Sequence, residues 1–314
     1  MESVKPCSKC PSPAVDFIKY MGQHLCALHF QEFVEYRVKR DVRKQGPYPA
    51  GSRIAVALSG GKDSCVTLQL LHGIFRTNPK VAVEAILVDE GIHGYRDQTI
   101  PLARELCERL GVPLHIASYK DAVGLTLDEL VARKPMALPC TYCGVLRRRA
   151  LNTTAKRIGA THLATGHNLD DTAQTILMNQ LRGDVERLAR LGPHKRVQPG
   201  LVPRLLPLRS IPEREVALYA YLAGLPVHHG DCPHSSDATR GKYRDLHLKL
   251  EADEPGTRHA LVAGYDRMAA ALASAFKPAE LGQCGTCGEP TQHGRCKACL
   301  LLDEVLAAPA PAQG

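Results

Sequence analysis

The chain has 314 residues, 44% of them apolar, with 12 cysteines and a formal charge of +8, which is enough for one α/β core with small appended modules. No stretch holds the about 18 uninterrupted apolar residues of a membrane span, and Met1 to Pro6 do not open a secretion signal. A cytoplasmic protein is therefore expected, in which closely spaced cysteines read as metal ligands or reactive thiols rather than disulfides.

The positive balance suits a polyanionic partner such as nucleic acid without requiring one. Arg182 to Arg214 carries eight Lys or Arg against three acids, and Arg147, Arg148 and Arg149 form a run. Both are also compatible with a solvated helix face.

In chain order, Cys7-x2-Cys10 with Cys26-x2-His29 has zinc-knuckle spacing. An apolar, β-prone run from Ile54 to Leu58 ends in the turn Ser59-Gly60-Gly61, and Asp63 to Ile74 has helical periodicity. Strands follow at Val81 to Val88, Leu114 to Ala117 and Thr161 to Thr165. Helices fall at Ile100 to Leu110, Cys143 to Ile158 and Asp170 to Arg182. This alternation predicts a parallel sheet covered on both faces. Leu191 to Pro212 reads as loop with short strands, and Pro212 opens a helix to Leu222. Cys284-x2-Cys287-x8-Cys296-x2-Cys299 is a four-thiolate zinc pattern of high specificity, and the Ala/Pro tail from Ala307 reads as disordered. The expected divisions are a zinc module and linker helix (1–47), a catalytic domain (48–276), a zinc ribbon (277–303) and a tail (304–314).

Ser59-Gly60-Gly61-Lys62-Asp63-Ser64 sits where a strand hands over to a helix. Its backbone N–H groups can cradle phosphates while Lys62 supplies a cation. It lacks the Walker spacing and is similar to the loop of enzymes that cut ATP between the α and β phosphates. Cys140-Thr-Tyr-Cys143 opens a helix, a position that favours thiolate, and Cys232 follows with Pro233-His234. Three thiols are one short of the usual iron–sulfur set. An open iron, a zinc completed by His234 and a persulfide pair are all compatible with them. Gly166-His167-Asn168-Leu169-Asp170-Asp171 follows a strand, at the sheet edge where α/β ligands bind. Asp170 and Asp171 are candidates for magnesium or a base, and Asp170 or Asn168 also for a helix cap. Cys65 and Cys107 read as core.

Together the loop Ser59 to Ser64, Asp89-Glu90-Gly91-Ile92-His93-Gly94-Tyr95-Arg96-Asp97, Cys140-Thr-Tyr-Cys143-Gly-Val-Leu-Arg-Arg-Arg149, Thr165-Gly-His-Asn-Leu-Asp-Asp171 and Leu181-Arg-Gly-Asp184 resemble the cytosolic tRNA 2-thiouridine synthetases. The resemblance runs from Cys7 to Cys299 and is nearest the branch acting on the wobble uridine. It implies an α/β, parallel-sheet PP-loop core of Rossmann-like kind with a zinc-binding module at each end. It also implies a 4Fe-4S cluster on Cys140, Cys143 and Cys232, and ATP contacts at Ala57, Ser59, Gly60, Gly61, Lys62, Asp63, Ser64, Val88, Arg147, Gly166 and Asp171. Asp171 would lie near the reacting base, with Mg2+ and Lys62 at the departing pyrophosphate. tRNA is the implied substrate, a ubiquitin-like thiocarboxylate carrier or free sulfide the sulfur source, and a homodimer the assembly.

Within the same chemistry the alternatives are the T-loop ribothymidine at position 54 and cytidine 32. A lysidine synthetase shares the phosphate loop but has no use for three clustered cysteines. A zinc-ribbon RNA-binding protein with a vestigial nucleotide loop would release no pyrophosphate.

Overall fold

The computed structural model describes residues 5–133, 139–192, 198–234, 238–277 and 279–307; the tail beyond 307 and residues 193–197 of the basic stretch lie outside them. A hairpin of β1 (Asp16–Ile18) and β2 (Gln23–Leu25) leads into α1 (Ala27–Gln45). Phe30, Val34, Val38 and Val42 recur every fourth residue of α1 and are all buried, the single stripe that a helix packed on one side needs. The alternating region comprises β3 (Ser52–Ala57), α2 (Lys62–Phe75), β4 (Val81–Asp89), α3 (Arg96–Leu110) and β5 (Leu114–Ser118). It continues with α4 (Tyr119–Val123), α5 (Leu127–Arg133), α6 (Pro139–Arg157), β6 (His162–Ala164) and α7 (Leu169–Leu181). Next come α8 (Val185–Ala189), β7 (Arg204–Leu205), α9 (Glu213–Leu222), α10 (Ala238–Asp253) and α11 (Thr257–Ala275). The hairpin β8 (Gly282–Gln283) and β9 (Pro290–Thr291) and then α12 (Lys297–Leu306) complete the order.

The sheet order is β5-β4-β3-β6-β7, and every pairing in it is parallel. Side chains alternate across it, as the twofold period of a strand requires. Ile54 and Val56 join a core with α1, α2, α3 and α9, while Ala55 joins a second core with α5, α6 and α12. The chain winds outward from β3 to β5, then returns to build β6 and β7 on the other side of β3. A crevice for ligands opens at the carboxyl ends of strands on either side of such a reversal. Here those ends are the Ser59 loop and Thr165–Gly166.

Several boundaries differ from the sequence reading. α3 starts at Arg96, not Ile100, and carries Pro101 inside it. Proline favours a helix start, so the residues before it read as loop, yet at this position it removes only a bond to the carbonyl of Asp97. α6 starts at Pro139, ahead of the Cys143 expected. α10 and α11 carry few buried apolar residues, Val262 and Tyr265 in α11, so neither gave a readable stripe. Residues 304–306 of the expected tail belong to α12.

Candidate active site

The nucleotide loop is fastened from within and by the elements around it. Within it, Ser64 Oγ donates to the Gly61 carbonyl at 2.9 Å and accepts from the Ser59 amide at 3.0 Å. From β6, Gly166 lies so close that a Cβ there would come within 2.8 Å of the Asp63 carbonyl carbon, which is rigid backbone. Asn168 Nδ2 donates to Asp63 Oδ1 at 2.9 Å. From α9, Glu213 meets Lys62 Nζ at 2.9 Å, with Asp63 on the same ammonium at 3.1 Å. Burial opposes the Lys62 charge, but the two carboxylates outweigh it and hold the ammonium above its usual pKa. The amides at the α2 N-terminus are left as anion donors.

Asn168 is the N-cap of α7 and forms a reciprocal box with Asp171. Its side chain accepts from the Asp171 amide at 3.0 Å, and Asp171 Oδ2 accepts from the Asn168 amide at 3.2 Å. Asp170 does not fit the expected metal or base role. It is buried and receives the Arg258 guanidinium, while its Oδ2 accepts the Glu213 amide at 2.8 Å and His247 stands 3.4 Å away. Burial works against its charge, but these donors hold the carboxyl below the usual range. Asp170 ties α7 to α9, α10 and α11.

The three central cysteines reach the same sheet edge. Cys140 is exposed in the first turn of α6, and its thiol donates to the His234 carbonyl at 3.3 Å. Cys143 is buried, and Arg147 donates to its sulfur at 3.1 Å. Burial pushes the Cys143 thiol up despite Arg147, against the lowering expected from the helix terminus. Cys232 packs against the same core as Cys143, in a segment laid across the nucleotide loop by a bond from the His228 amide to the Gly60 carbonyl, 2.9 Å long. His234 Nε2 meets Asp128 at 2.6 Å, and its ring does not gather with the three cysteines as His29 does with Cys7, Cys10 and Cys26.

The outer sets differ in scale. Cys7, Cys10, Cys26 and His29 gather within 4.8 Å of one another, and so do Cys284, Cys287, Cys296 and Cys299. Their measured edges are 3.7 Å for Cys10–Cys26, 3.8 Å for Cys284–Cys299 and 3.5 Å for Cys287–Cys296. Zinc–sulfur bonds of about 2.3 Å in a tetrahedron put sulfurs roughly 3.8 Å apart, and a disulfide would bring them to about 2 Å. The donor sets fit zinc. Among the described residues no other three or more His, Cys, Asp or Glu gather so closely, so Cys140, Cys143 and Cys232 stand wider apart than the ligands of one ion. They suit a larger group.

A PP-loop domain model matches residues 31–228. The tRNA 2-thiolation protein NcsA of Haloferax volcanii is 41% identical over 96% of this chain and 99% of its own length. This chain belongs to the tRNA 2-thiolation family of PP-loop proteins. Within that family, the cytoplasmic tRNA 2-thiolation protein 1 of Mus musculus is 41% identical over 90% of this chain and 68% of that protein. The solved U34-tRNA thiolase NcsA of Methanococcus maripaludis, described with its 4Fe-4S cluster, superimposes with a TM-score of 0.82 at 35% identity, covering 97% of each chain.

For a thiolation-family chain, the structure adds site residues the sequence reading missed. Glu213 carries no local motif, and its pairing with Lys62 spans 151 residues. His228 holds its place through a backbone amide, which no residue type reveals. Glu90 lay in plain view in the Asp89 to Asp97 segment but without a role.

Proposed function

We propose that this protein is an ATP-dependent tRNA sulfurtransferase that replaces O2 of the wobble uridine with sulfur. The observation that carries the reading is the meeting at one sheet edge of a phosphate loop and three cysteines, joined by the His228–Gly60 bond. Relatives named for thiolation at 41% identity support the reaction class, and the U34 enzyme at 35% identity supports the position. The uridine O2 attacks the α-phosphate, pyrophosphate leaves, sulfur adds at C2, and the original oxygen departs on AMP. Ser59 to Ser64 and the α2 N-terminus cradle phosphates. Ala57, Val88 and Gly166 line the nucleotide, Lys62 offsets charge on the pyrophosphate, and Arg147 contacts the nucleotide on the cysteine side. Asp171 acts near the base as it becomes an adenylate.

Cys140, Cys143 and Cys232 would hold a 4Fe-4S cluster, which would supply an iron with a position open to sulfide. Mg2+ would share the pyrophosphate charge with Lys62. The two outer sets would hold structural zinc. tRNA is the macromolecular substrate, and its anticodon loop presents the base already unstacked. A ubiquitin-like thiocarboxylate carrier or free sulfide supplies the sulfur, and the assembly is a homodimer. A cytoplasmic location accords with the name of the mouse relative, and among the described residues no helix is long and apolar enough to cross a membrane.

The deciding experiment is anaerobic reconstitution with iron and sulfide, followed by ATP, tRNA and a sulfur source, with mass spectrometry of the digested nucleosides. The expected product is 2-thiouridine at position 34, with one pyrophosphate per sulfur. Sulfur at position 54, the site named for a Pyrococcus horikoshii relative 34% identical, or at cytidine 32 would overturn the position. Full activity of the iron-free protein would overturn the cluster.

A further inference from the structure

The segment Asp89 to Asp97 distinguishes the sequence, yet the chemistry above assigns it nothing. Its geometry is specific. Gly91 has φ +66°, and a Cβ there would lie 2.5 Å from Thr126 Cγ2, so only glycine lets the chain turn here against α5. Asp89 Oδ1 caps this turn by accepting the Gly91 amide at 2.9 Å. The turn brings Glu90 and Arg96 together inside the protein.

Glu90 is completely buried. One carboxylate oxygen receives Nε of Arg96, whose side chain is 5% exposed, and the other receives Nε of Arg147 at 2.6 Å. Each arginine then reaches a different part of the site. Arg96 donates to the Ser59 carbonyl at 3.0 Å, at the start of the nucleotide loop. Arg147 donates to Cys143 Sγ at 3.1 Å. A carboxylate removed from water is strongly disfavoured unless paired, and here two guanidiniums pair it and leave one net positive charge facing the sulfur and the nucleotide. Arg147 alone could swing outward, because its side chain is 42% exposed. Glu90 stops it.

We propose that Glu90 is a positioning residue that, through one buried carboxylate, holds Arg147 on the sulfur of Cys143 and Arg96 on the nucleotide loop, keeping the two halves of the reaction in register. This rests on the cysteine site proposed above. Hydrogen bonds to ligand sulfurs are among the factors that set the potential of an iron–sulfur centre, and partners that orient such contacts are worth roughly 10- to 100-fold in activity or affinity.

The test is a double-mutant cycle on the full chain with Glu90→Gln, Arg147→Gln and both, each reconstituted anaerobically, with thermal midpoint and zinc content recorded to verify folding. Each single change should lower kcat for thiolation by about 10- to 100-fold and move the cluster's midpoint potential away from the wild-type value. The double variant should lose less than the product of the two single losses, because the Glu90–Arg147 contact is common to both. Multiplicative losses, or wild-type kcat and potential in Glu90→Gln, would overturn the proposal. Where Glu90→Gln does not fold, Glu90→Asp keeps the charge but withdraws it by one methylene, and wild-type values there overturn it equally. In metal-free protein the same cycle is read from the rate of Cys143 alkylation: the change caused by Glu90→Gln should vanish when Arg147 is already Gln. A wild type that holds no iron would thus sink the cysteine-site reading alone, while persistence of the alkylation change would sink this one.

Discussion

Glu289, in the carboxyl-terminal cysteine module, accepts a hydrogen bond from the side-chain amide of Asn152 on α6 at 3.1 Å. Its other oxygen accepts from Thr153 Oγ1 at 2.9 Å. The same Asn152 amide group donates to the Gly200 carbonyl, and its oxygen accepts the Val202 amide. The module is thus bolted to the helix that carries Cys140 and Cys143. Glu289→Ala should lower stability by about 1–3 kcal/mol, since it leaves the buried Asn152 with fewer partners. Urea denaturation measures this. Hydrogen exchange should also quicken in α6 around residue 152. An unchanged midpoint with unchanged exchange would show the module to be docked by apolar contact alone.

Asp171 closes the capping box of α7 and is proposed to act near the reacting base, and one substitution can separate the two. Asp171→Ala removes both the acid and the bond that its carboxylate accepts from the Asn168 amide, so a loss of activity there is ambiguous. Asp171→Asn keeps an oxygen for the Asn168 amide and removes only the charge. It should unfold within about 1 kcal/mol of wild type and still bind tRNA, while thiolation falls by about 100-fold or more, as for a lost general base. Retained turnover in Asp171→Asn would reduce the residue to a cap.

The close approach of Gly166 to Asp63 gives a test of the nucleotide loop that touches no charged group. Gly166→Ala must push the first turn of α2 off its position, because the atoms it meets are backbone. ATP binding, followed by calorimetry, should weaken by about tenfold or more, in line with the sensitivity of such sites to small displacements. Gly73→Ala is the control. It lies within α2 with open space around its Cβ position and should stabilise by about 0.5–1 kcal/mol. Equal ATP affinity in the two variants would mean that the loop tolerates movement.

His259 packs against Tyr20 with ring centroids 4.4 Å apart and planes tilted by 44°, and its Nε2 lies 3.4 Å from an Arg37 guanidinium nitrogen, so it is held neutral as an acceptor. Burial, and then the Arg37 charge, push its pKa down to about 4, against about 6.5 in an unfolded chain. The unfolded state therefore binds the extra proton first. The contribution to stability is full above about pH 6.5 and is lost as the pH falls toward 4. His259→Gln keeps an acceptor and cannot titrate. Its deficit relative to wild type in urea midpoints should shrink between pH 7 and pH 4.5 by on the order of 1–2 kcal/mol, allowing for partial exposure. Parallel curves would place the acid sensitivity elsewhere.

What could be read from the sequence was whatever depends on near neighbours. The Ile54 to Leu58 run and the Gly-rich turn after it carry their own conformational instructions, and the two outer cysteine sets announce themselves by spacing. Cys65 and Cys107 are buried as their helix positions suggested. The active-site partners were hidden for the opposite reason. Glu213 reaches Lys62 and Arg147 reaches Glu90 only after the sheet has set their elements side by side. Asp170 misled because its motif is shared with Asp171, and only packing shows that Arg258 and His247 have claimed it. α10 gave no signal, since what it buries includes the polar His247 and Glu251, and α11 buries too few apolar residues, Val262 and Tyr265, to make a stripe.

The bond from the His228 amide to the Gly60 carbonyl is made entirely of main-chain atoms. At 228 it is therefore indifferent to residue identity, since of the twenty amino acids only proline lacks the donor, whereas Gly60 has φ +86° and a Cβ there would lie 3.0 Å from the Thr99 carbonyl oxygen. Substitutions can accumulate at 228 without loosening the bond, so that half of the link between the nucleotide loop and the Cys232 segment leaves no trace in the pattern of tolerated side chains. Its vulnerability is to chain length. One residue gained or lost between Pro226 and Cys232 would move the thiol relative to the loop even if every side chain named above were retained. The stretch should thus prove permissive to mutation and intolerant of insertion, a form of constraint that only the spacing of the chain records.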